Sequence, residues 1–398
     1  FIEDYRMSCR TITSFTAIVL ALCVAGCQTV PREPLRLPAM LDDLHDRRVS
    51  IEPVQAYAMR LANGVKVSEE DGLTRAEAEA VALWYNADLC IMRLEAERAG
   101  ALAGTAGRWD DPDFEIANGA KWFDGPMDTG WIGSGSLGIT IPLSGRPRME
   151  RRARSAEHVA ALSAVTEAEW RVVAELDEAW IRWTAIVESQ ALLTQHLPLL
   201  AEFTQSTDDL ARAGEVDFGT ANLFSLEHVR KLALQDALAT EEQRLRTELL
   251  YLMGLSANAP VSLIAGFDAP AGGEPRTSED AILNHPSVRI ARDEYDAAEA
   301  RLRVEVRKQY PDITLSPGFD SEPDETAVVV GLGFPIPVWN ANRQGIAEAR
   351  AQRNIARARV AQAIHRAELE IAQSAAALAA AEARRERLTR DAAPQVDA

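Results

Sequence analysis

A period-two segment that leads directly into a very long helical sequence is the strongest constraint on how this chain folds. Its large apolar residues occupy alternate positions and are Val328, Val330, Leu332, Phe334, Ile336 and Val338. This alternation predicts a β-strand with one apolar face. The residues from 342 onward are rich in Ala, Glu, Gln and Arg and contain no proline before Pro394. They predict a helix much longer than those of ordinary compact domains.

The chain contains an internal duplication, which is visible when residues 73–201 are aligned with residues 278–398. The matching segments are Pro112-Asp113 with Pro311-Asp312, and LGITIPL at 137–143 with LGFPIPV at 332–338. Each unit has the predicted order helix, strand, short loop, strand and long helix. The predicted fold class is therefore α+β, built from two copies of this order.

The duplication and the flanking composition predict five segments. They are a signal peptide at 1–27 whose true start is Met7, an N-terminal anchor segment and linker at 28–70, a first repeat at 71–256, a linker at 257–278 and a second repeat at 279–398. The first repeat continues into a predicted return helix after its long helix. No matching segment follows in the second repeat, so we expect a truncated reading frame, with a naturally shortened variant as the alternative.

Residues near the start predict secretion and lipid attachment. An apolar run at 12–24 follows Arg10, which is the pattern of a signal peptide. The tetrapeptide VAGC, which ends at Cys27, resembles the lipobox of bacterial lipoproteins. The resemblance implies acylation of Cys27, contact with outer-membrane lipid and, with Gln28 after the cysteine, a location in the cell outer membrane. An ordinary signal peptide with a chance cysteine is the alternative.

Charge and motif content exclude several functional classes. The chain has 60 acidic and 42 basic residues and a net charge of −18, which disfavours nucleic-acid binding because phosphate contacts need clustered cations. No Gly-rich phosphate loop, HExxH or CxxC motif occurs in the sequence. Metal-ligand spacing is also absent among the six histidines, which are His45, His158, His196, His228, His285 and His365. We therefore predict no catalysis, no cofactor and no fixed metal site.

Four strands are predicted, two in each repeat, at 112–123, 131–143, 311–320 and 326–338. About nine to eleven tilted residues are enough to cross a bilayer. Four strands cannot close a barrel, and open strand edges are not tolerated in lipid. Three copies of the chain would supply twelve strands, so the pattern predicts a homotrimer that forms one barrel between its subunits. Soluble strand patches on separate domains are the alternative.

The two long helices favour the membrane interpretation. They are predicted at 148–198 and 342–394, and a helix of about fifty residues is about 75 Å long. Apolar residues recur at seven-residue spacing, which is typical of coiled-coil packing. These are Val165, Val172, Ala179, Ile186 and Leu193 in the first helix, and Ile364, Ile371 and Leu378, with Ala367 and Ala381 offset by three, in the second. Their length and spacing predict a wall of long, packed helices below the barrel.

Taken together, these elements resemble the outer-membrane efflux factors, the TolC-like family. The resemblance covers residues 70–398 and is carried by GLTRAEAEAVALWYNADL, HPSVRIARDEYDAAEARLRV, YPDITLSPGF and VGLGFPIPVWNANRQGIAEARA. The last segment is most similar to the branch that is paired with heavy-metal cation pumps, the CzcC-like proteins. The resemblance implies a trimeric twelve-stranded outer-membrane β-barrel that continues as a periplasmic α-helical barrel.

The resemblance also implies partners and a role. Such a protein would dock with a periplasmic adaptor, or membrane fusion protein, and with an inner-membrane pump of the resistance-nodulation-division (RND) type. It would be a passive conduit for the export of small solutes, with heavy-metal cations as candidate cargo. Two alternatives stay open: a periplasmic adaptor, which also combines a lipid anchor with helical hairpins, and a non-transporting envelope lipoprotein that serves as a scaffold.

The helical tip of the first repeat is a candidate periplasmic entrance. It is predicted at Pro198 to Gly214, and its acidic residues are Asp208 and Asp209 within that range and Glu215 and Asp217 directly after it. Ordinary solvated loop charges are the alternative. In the family, acidic gate positions lie in the return helix of the second repeat, so no gate residue carries over to this sequence.

Two further groups of residues lie near the predicted membrane boundary. Trp122, Trp131 and Trp339 fall at predicted strand ends, where membrane barrels carry an aromatic girdle. An apolar cap inside the trimer is the alternative for them. The Arg-rich stretch 146–154 follows a strand, and it either meets anionic lipid head groups or forms a solvated helix start.

Overall fold

The computed structural model describes residues 30–50, 52–59, 67, 71–122, 129–267, 279–322 and 325–392. The chain divides into two compact units, Phe1–Arg47 and Arg48–Ala398. In the first unit, helix α1 (Leu37–His45) carries the exposed apolar side chains of Leu37, Met40 and Leu41. The predicted signal peptide, including Cys27, lies outside the described residues.

The second unit consists of helices and one sheet. Its helices are α2 (Glu52–Ala58), α3 (Arg75–Tyr85), α4 (Ala87–Thr105), α5 (Arg146–Ala213), α6 (Phe218–Leu252), α7 (Glu279–Leu283), α8 (Pro286–Arg307) and α9 (Arg343–Arg387), which a π-helical turn (Leu388–Ala392) follows. Its strands are β1 (Asp113–Trp122), β2 (Thr129–Ile141), β3 (Ile313–Glu322) and β4 (Glu325–Gly333). The predicted order of helix, strand, strand and long helix is confirmed in both repeats. Within the described residues, no helix is long and apolar enough to cross a membrane.

The four strands form one antiparallel sheet in the order β1-β2-β3-β4. Each repeat contributes a hairpin, and the pairing of β2 with β3 joins the two repeats. In this central pairing Ile139 lies opposite Leu315, and Ile141 lies opposite Ile313. The two pairs of predicted strands are therefore one continuous surface rather than patches on separate domains.

Strand β4 is shorter than the predicted strand 326–338. It ends at Gly333, which lies opposite Thr314, and β3 begins only one residue earlier. The residues after Gly333 therefore have no strand beside them in the single chain. Pro335 and Pro337 also lack the backbone N–H that a strand ladder uses. The period-two pattern thus continues beyond the hydrogen-bonded strand.

Helix α5 is longer than predicted. The expected end at Pro198 is wrong, because the helix runs through this proline to Ala213. An internal proline removes one backbone hydrogen bond and costs about 3 kcal/mol. Packing against α6 offsets this cost, since Ala211 of α5 and Ala221 of α6 are both buried. The chain then reverses at Gly214, which caps α5 in the left-handed conformation with φ 81°.

The seven-residue apolar pattern of α5 forms a packing seam, as predicted. Val172, Ala179 and Leu193 are buried, and Ile186 packs against the core. In α9 the corresponding stripe is covered over a shorter length. Ala367 is fully buried there, whereas Leu378 is exposed. The far half of α9 therefore leaves its apolar stripe open in the single chain.

The main core lies where α2, α3 and the start of α4 pack against the middle of α5 and the end of α6. Trp180 and Leu176 of α5 and Leu249 of α6 are fully buried there. Each large apolar side chain of this kind contributes about 1.5–3 kcal/mol on burial. The bundle is thus held most firmly at one level along its length, and the sheet lies at the other end of α4 and the beginning of α5.

Asn86 joins three helices at this level. Its side-chain oxygen accepts hydrogen bonds from the backbone N–H groups of Asp88 and Leu89, which are the first amides of α4. Its side-chain nitrogen donates to the carbonyl oxygen of Leu252 at 2.9 Å. The residue therefore caps α4 and fixes the α3–α4 corner to the end of α6.

Polar contacts hold the two repeats together along α5 and α8. Glu157 of α5 lies 2.7 Å from Arg301 of α8. Further along, the hydroxyl of Ser163 donates to the carboxylate of Asp293 at 2.5 Å. Asp293 is a buried acid, and this bond partly satisfies its carboxylate. The helices below the sheet thus keep the same side-by-side relation as the strands β2 and β3 above them.

A partly buried ion cluster joins α3 to α5. Nη1 of Arg75 lies 2.8 Å from a carboxylate oxygen of Glu79 and 2.8 Å from one of Asp177. Burial raises the pKa of Glu79 to about 7, and the negative charge of Asp177 acts in the same direction while Arg75 opposes it. Glu79 therefore binds its proton more tightly in the folded chain than in the unfolded chain.

We expect Glu79→Gln to remove a pH dependence of stability. A carboxyl whose pKa is raised on folding from 4.5 to about 7 stabilises the fold fully below the lower value, and this contribution is lost as the pH rises through the higher one. The free energy of unfolding of the wild type should therefore fall, relative to that of the variant, between about pH 5 and about pH 8. Denaturant titrations across this range measure the difference.

Glu178→Gln is the matched control for this experiment. Glu178 is adjacent to Asp177 on α5, and its side chain is 72% exposed. This control variant should keep the pH slope of the wild type. Parallel stability curves for the wild type and Glu79→Gln would contradict the prediction.

Candidate functional site

The register of the sheet sorts its side chains onto two chemically different faces. Directly opposed residues of an antiparallel pair share a face, and neighbours along one strand alternate between faces. One face, called here the apolar face, collects large apolar residues from all four strands. They are Phe114, Ile116, Leu137, Ile139, Ile141, Ile313, Leu315, Pro317, Phe319, Val328, Val330 and Leu332.

The opposite side, called here the polar face, carries mostly small and polar residues, together with Ile132 and Val329. Its polar members are Asp113, Glu115, Ser134, Ser136, Thr140, Thr314, Ser316, Asp320, Glu322 and Glu325. The hydroxyl oxygens of Thr140 and Thr314 lie 3.1 Å apart across the central strand pair. Among the strand side chains that the structure describes, this face has five carboxylates and no cationic group. It is therefore a negatively charged surface suited to water.

The apolar face is open in the single chain. Val328, Val330 and Leu332 of β4 are 85%, 65% and 64% exposed. Ile116 of β1 and Phe319 of β3 extend the exposed area across the sheet. A contiguous apolar patch of this kind marks contact with lipid or with another protein. The sheet is thus a thin wall with one side compatible with lipid and the other compatible with water.

Trp339 lies just beyond the apolar face and is 90% exposed. Ile336 and Val338, which precede it, are also exposed. The side chains of Trp122 and Trp131 fall outside the described part of the structure. The aromatic girdle therefore stays a prediction for all three tryptophans.

Arg146 is the centre of the junction between the sheet and the helices. It is the first residue of α5, and its guanidinium nitrogens lie 3.1 Å from Asp110, 3.7 Å from Asp312 and 3.7 Å from Glu150. Asp312 directly precedes β3 and also accepts a hydrogen bond from the backbone N–H of Ser144 at 3.1 Å. The first repeat is thereby tied to the second at the base of the sheet.

The sequence pattern indicated the Arg-rich stretch 146–154 but not this contact. The available signal was the Pro-Asp dipeptide, which occurs in both repeats directly before a strand. Two other arginines of the stretch also have partners nearby: Arg154 lies 2.8 Å from Glu157 on the same helix, and Arg151 donates to the carbonyl oxygen of Gly107 at 3.4 Å. Contact of the stretch with lipid head groups stays a prediction.

The four acidic residues of the candidate entrance all lie at one end of the α5–α6 hairpin. Asp208 and Asp209 are on the last two turns of α5, Glu215 lies in the connection, and Asp217 is the N-cap residue of α6. The first two are therefore helical residues rather than loop residues, because α5 does not end at Pro198. The four residues thus lie between positions 208 and 217, at the turn of one helical hairpin. Their role at an entrance stays a prediction.

Two of these acids have a local structural task. Asp209 accepts from Arg212 at 2.8 Å on the same helix. Asp217 accepts from the backbone N–H of Thr220 at 3.0 Å and from its hydroxyl at 2.6 Å. These bonds hold the pKa of the Asp217 carboxyl below its usual value. Its charge is therefore retained over the ordinary pH range while it caps α6.

The described residues do not contain a group of three or more His, Cys, Asp or Glu side chains that could hold a metal ion. His285 has a short contact with the hydroxyl of Ser287 at 2.7 Å and lies 3.7 Å from Glu370. This is a pairing between α9 and the beginning of α8. The site that the structure offers is thus a surface, with one apolar and one acidic side, rather than a coordination centre.

A comparison with protein families identifies the second repeat. Residues 277–395 match the family described as outer membrane efflux protein. The match marks a domain over the second repeat that is similar to outer membrane efflux proteins. This domain contains α8, β3, β4 and α9, and the first repeat of the chain has the same order of elements.

A curated relative agrees with this similarity. The chain is similar to the cobalt-zinc-cadmium resistance protein CzcC of Cupriavidus metallidurans, with 26% identity over 211 residues. The aligned region covers 52% of this chain and 50% of CzcC, so the match spans about half the length of that relative. The predicted resemblance to CzcC-like efflux proteins is confirmed.

Solved structures share the fold of this chain. The outer membrane protein VceC from Vibrio cholerae has a TM-score of 0.66 at 16% identity, over 79% of this chain and 81% of that chain. CusC, whose structures concern transmembrane channel formation, has a TM-score of 0.58 at 16% identity, over 82% and 79% of the two chains. The predicted TolC-like α+β fold is confirmed.

We expect Asp217→Ala to loosen the start of α6. The variant removes the acceptor of the Thr220 amide, which then lacks a partner at the helix end. Hydrogen exchange of that amide should become several-fold faster. Asp208→Ala is the control, because the described residues show no hydrogen bond to the Asp208 side chain. The same acceleration in both variants would show that Asp217 does not cap the helix.

Proposed function

We propose that this chain is the outer-membrane channel subunit of a tripartite efflux pump and acts as a passive conduit. The observation that supports this most directly is the two-faced sheet. An apolar face that is largely exposed and a polar face with five carboxylates are the two surfaces that a wall between lipid and a water-filled pore requires. The proposal includes no catalytic step.

The number of strands supports a homotrimer. Four strands leave two open edges, and open edges in a bilayer leave backbone groups unpaired at a cost of several kcal/mol each. Four strands are also about half the smallest closed barrel. Three copies give one twelve-stranded barrel, which is the arrangement implied by the family resemblance. In it the polar faces line the pore and the apolar faces meet lipid.

The long helices support an extension into the periplasm. Helix α5 has 68 residues and α9 has 45, which correspond to about 100 Å and about 70 Å of helix. The open apolar stripe of α9 indicates further helix packing in the assembly. We infer that these helices form an α-helical barrel which docks with a periplasmic adaptor and, through it, with an inner-membrane RND pump that supplies the energy of transport.

Heavy-metal cations are the proposed cargo. The relative CzcC is named for resistance to cobalt, zinc and cadmium. The five carboxylates among the described side chains of the polar face concentrate hydrated cations by their charge, and such a wall needs no fixed inner-shell site to let cations pass. The overall charge of −18 acts in the same direction.

Two finer assignments belong to the same proposal. Cys27 carries the acyl chains that anchor the protein in the outer membrane. Asp208, Asp209, Glu215 and Asp217 surround the periplasmic entrance at the end of the α5–α6 hairpin. Their position at the end farthest from the sheet along α5 supports this, since the sheet lies at the beginning of that helix.

Conductance in planar bilayers tests the proposal. The purified protein should open ion-conducting pores, and Ser136→Trp should reduce their conductance because it places a large ring on the polar face. Leu137→Trp is the matched control, since the next residue of β2 lies on the apolar face and should leave conductance unchanged. Absence of pores in the wild-type protein would instead favour an adaptor or a scaffold.

A further inference from the structure

The sheet ends in two strand edges that no described strand covers. β1 pairs with β2 alone, and β4 pairs with β3 alone. An uncovered edge presents a row of N–H and C=O groups that can pair with another strand. The two free edges belong to different repeats, so a second copy of the chain can offer its β1 to β4 of the first.

The central pair, β2 with β3, shows how the two repeats join. β4 is the counterpart of β2 in the duplication, because LGFPIPV corresponds to LGITIPL. β1 is the counterpart of β3, because Pro112-Asp113 corresponds to Pro311-Asp312. A junction between β4 of one copy and β1 of the next is therefore the repeat of a junction that already exists inside the chain.

The internal register can be transferred to the junction between copies. Ile139 lies opposite Leu315, and their counterparts are Phe334 and Ile116. Ile141 lies opposite Ile313, and their counterparts are Ile336 and Phe114. The same spacing places Leu332 opposite Asn118. This register also gives a partner strand to Phe334 and Ile336, which continue the period-two pattern beyond Gly333.

The chemistry of the faces checks this register independently. The residues brought together, Phe334 with Ile116 and Ile336 with Phe114, are large, apolar and exposed in the single chain. Phe114 and Ile116 belong to the apolar face, and Phe334 and Ile336 continue the alternation of Val330 and Leu332. A slip by one residue would bring the apolar face of one copy beside the polar face of the next.

The helix starts below the strands correspond by their place in the fold, and the second repeat has two more residues between its period-two segment and its helix than the first. α5 begins with Arg146 after Gly145, and α9 begins with Arg343 after Asn342. Both cap residues are in the left-handed conformation, with φ 69° and 51°. Since Arg146 pairs with Asp312, the counterpart of this pair joins Arg343 to the residue that corresponds to Asp312.

That counterpart is Asp113, and it is available. Asp113 and Arg343 are both exposed, and the described residues show no ion pair for either of them. Inside one chain, Asp113 is the first residue of β1 and Arg343 follows β4, so the two residues belong to opposite edges of the sheet. In the junction between copies they come to the same level, where the sheet meets the helices.

We propose that β4 of one copy pairs with β1 of a second copy in the register Leu332–Asn118, Phe334–Ile116 and Ile336–Phe114, and that Arg343 pairs with Asp113 across this seam. The inference rests on the proposed trimeric channel and specifies how its subunits fit together. The partner is a second copy of this chain. The ion pair selects the register because the two charges meet only when the strands are aligned in this way.

Disulfide cross-linking tests the register. In a Cys90→Ser background, which removes an exposed thiol, Asn118→Cys with Leu332→Cys should give covalent dimers and trimers after mild oxidation of the detergent-solubilised protein. Asn118→Cys with Val330→Cys, and Asn118→Cys with Phe334→Cys, are same-face pairs shifted by two residues. They should cross-link far less, because a disulfide needs Cβ atoms about 4 Å apart and diagonal neighbours are about 7 Å apart.

Single-cysteine variants give the background from other thiols, and light scattering of the uncross-linked protein gives its mass. If the mass is that of a trimer but the strongest cross-link forms in a shifted pair, or no pair cross-links, the register is wrong. The proposed trimeric channel is not contradicted by that result. A monomeric mass without cross-links overturns both.

Charge reversal tests the ion pair. Arg343→Asp should lower the yield of the Asn118–Leu332 cross-link several-fold, and adding Asp113→Arg should restore it. Arg350→Asp, at another exposed arginine of α9, is the control and should leave the yield unchanged. Failure of the double reversal to restore the yield would show that Arg343 and Asp113 are not partners.

Discussion

The backbone hydrogen bonds at the two edges of the sheet impose the main constraint on this protein. Water could satisfy these edges, but the sheet also carries a wide apolar face that disfavours water. Lipid could cover the apolar face, but lipid cannot satisfy the edges. The proposed pairing between copies would resolve the conflict, because each copy would then supply both a lipid-facing surface and the partner strands of its neighbours. The internal duplication makes this simple, since the junction between repeats can be reused between subunits.

The helices continue the contact between the two repeats away from the sheet. Arg146 and Asp312 fix the two repeats together where the sheet meets the helices, and Glu157 with Arg301 continues the connection between α5 and α8. Further along, the core around Trp180 holds α3, α5 and α6 as one body. Below that level the α5–α6 hairpin is held by small buried residues such as Ala211, and many of its larger apolar side chains are exposed. In the proposed channel, the helical wall would be packed most firmly on the side of the sheet, and its far end would be left free to meet partners.

Patterns that depend on neighbouring residues were predictable from the sequence. Alternation in 328–332 gave the apolar face, and the seven-residue spacing that includes Val172 and Ala179 gave the helix seam. Errors occurred where distant parts of the chain decide the outcome. Pro198 stays helical because α6 packs beside α5, and β4 stops at Gly333 because its partner strand β3 begins only at Ile313. The Arg146–Asp312 contact needed the β2–β3 pairing, which joins residues far apart in sequence. The acidic tip was located, although Asp217 proved to be a helix cap.

Site-directed spin labels along β4 in lipid vesicles test the central claim, which is that the sheet separates lipid from an aqueous pore. Labels at Val328, Val330 and Leu332 should be relaxed mainly by oxygen, which concentrates in lipid. Labels at Val329, Gly331 and Gly333 should be relaxed mainly by a water-soluble nickel complex, because alternate residues face opposite sides. A period of two with this phase is the predicted result. Uniform protection of all six labels from both reagents would place the strand in a protein core and contradict the account.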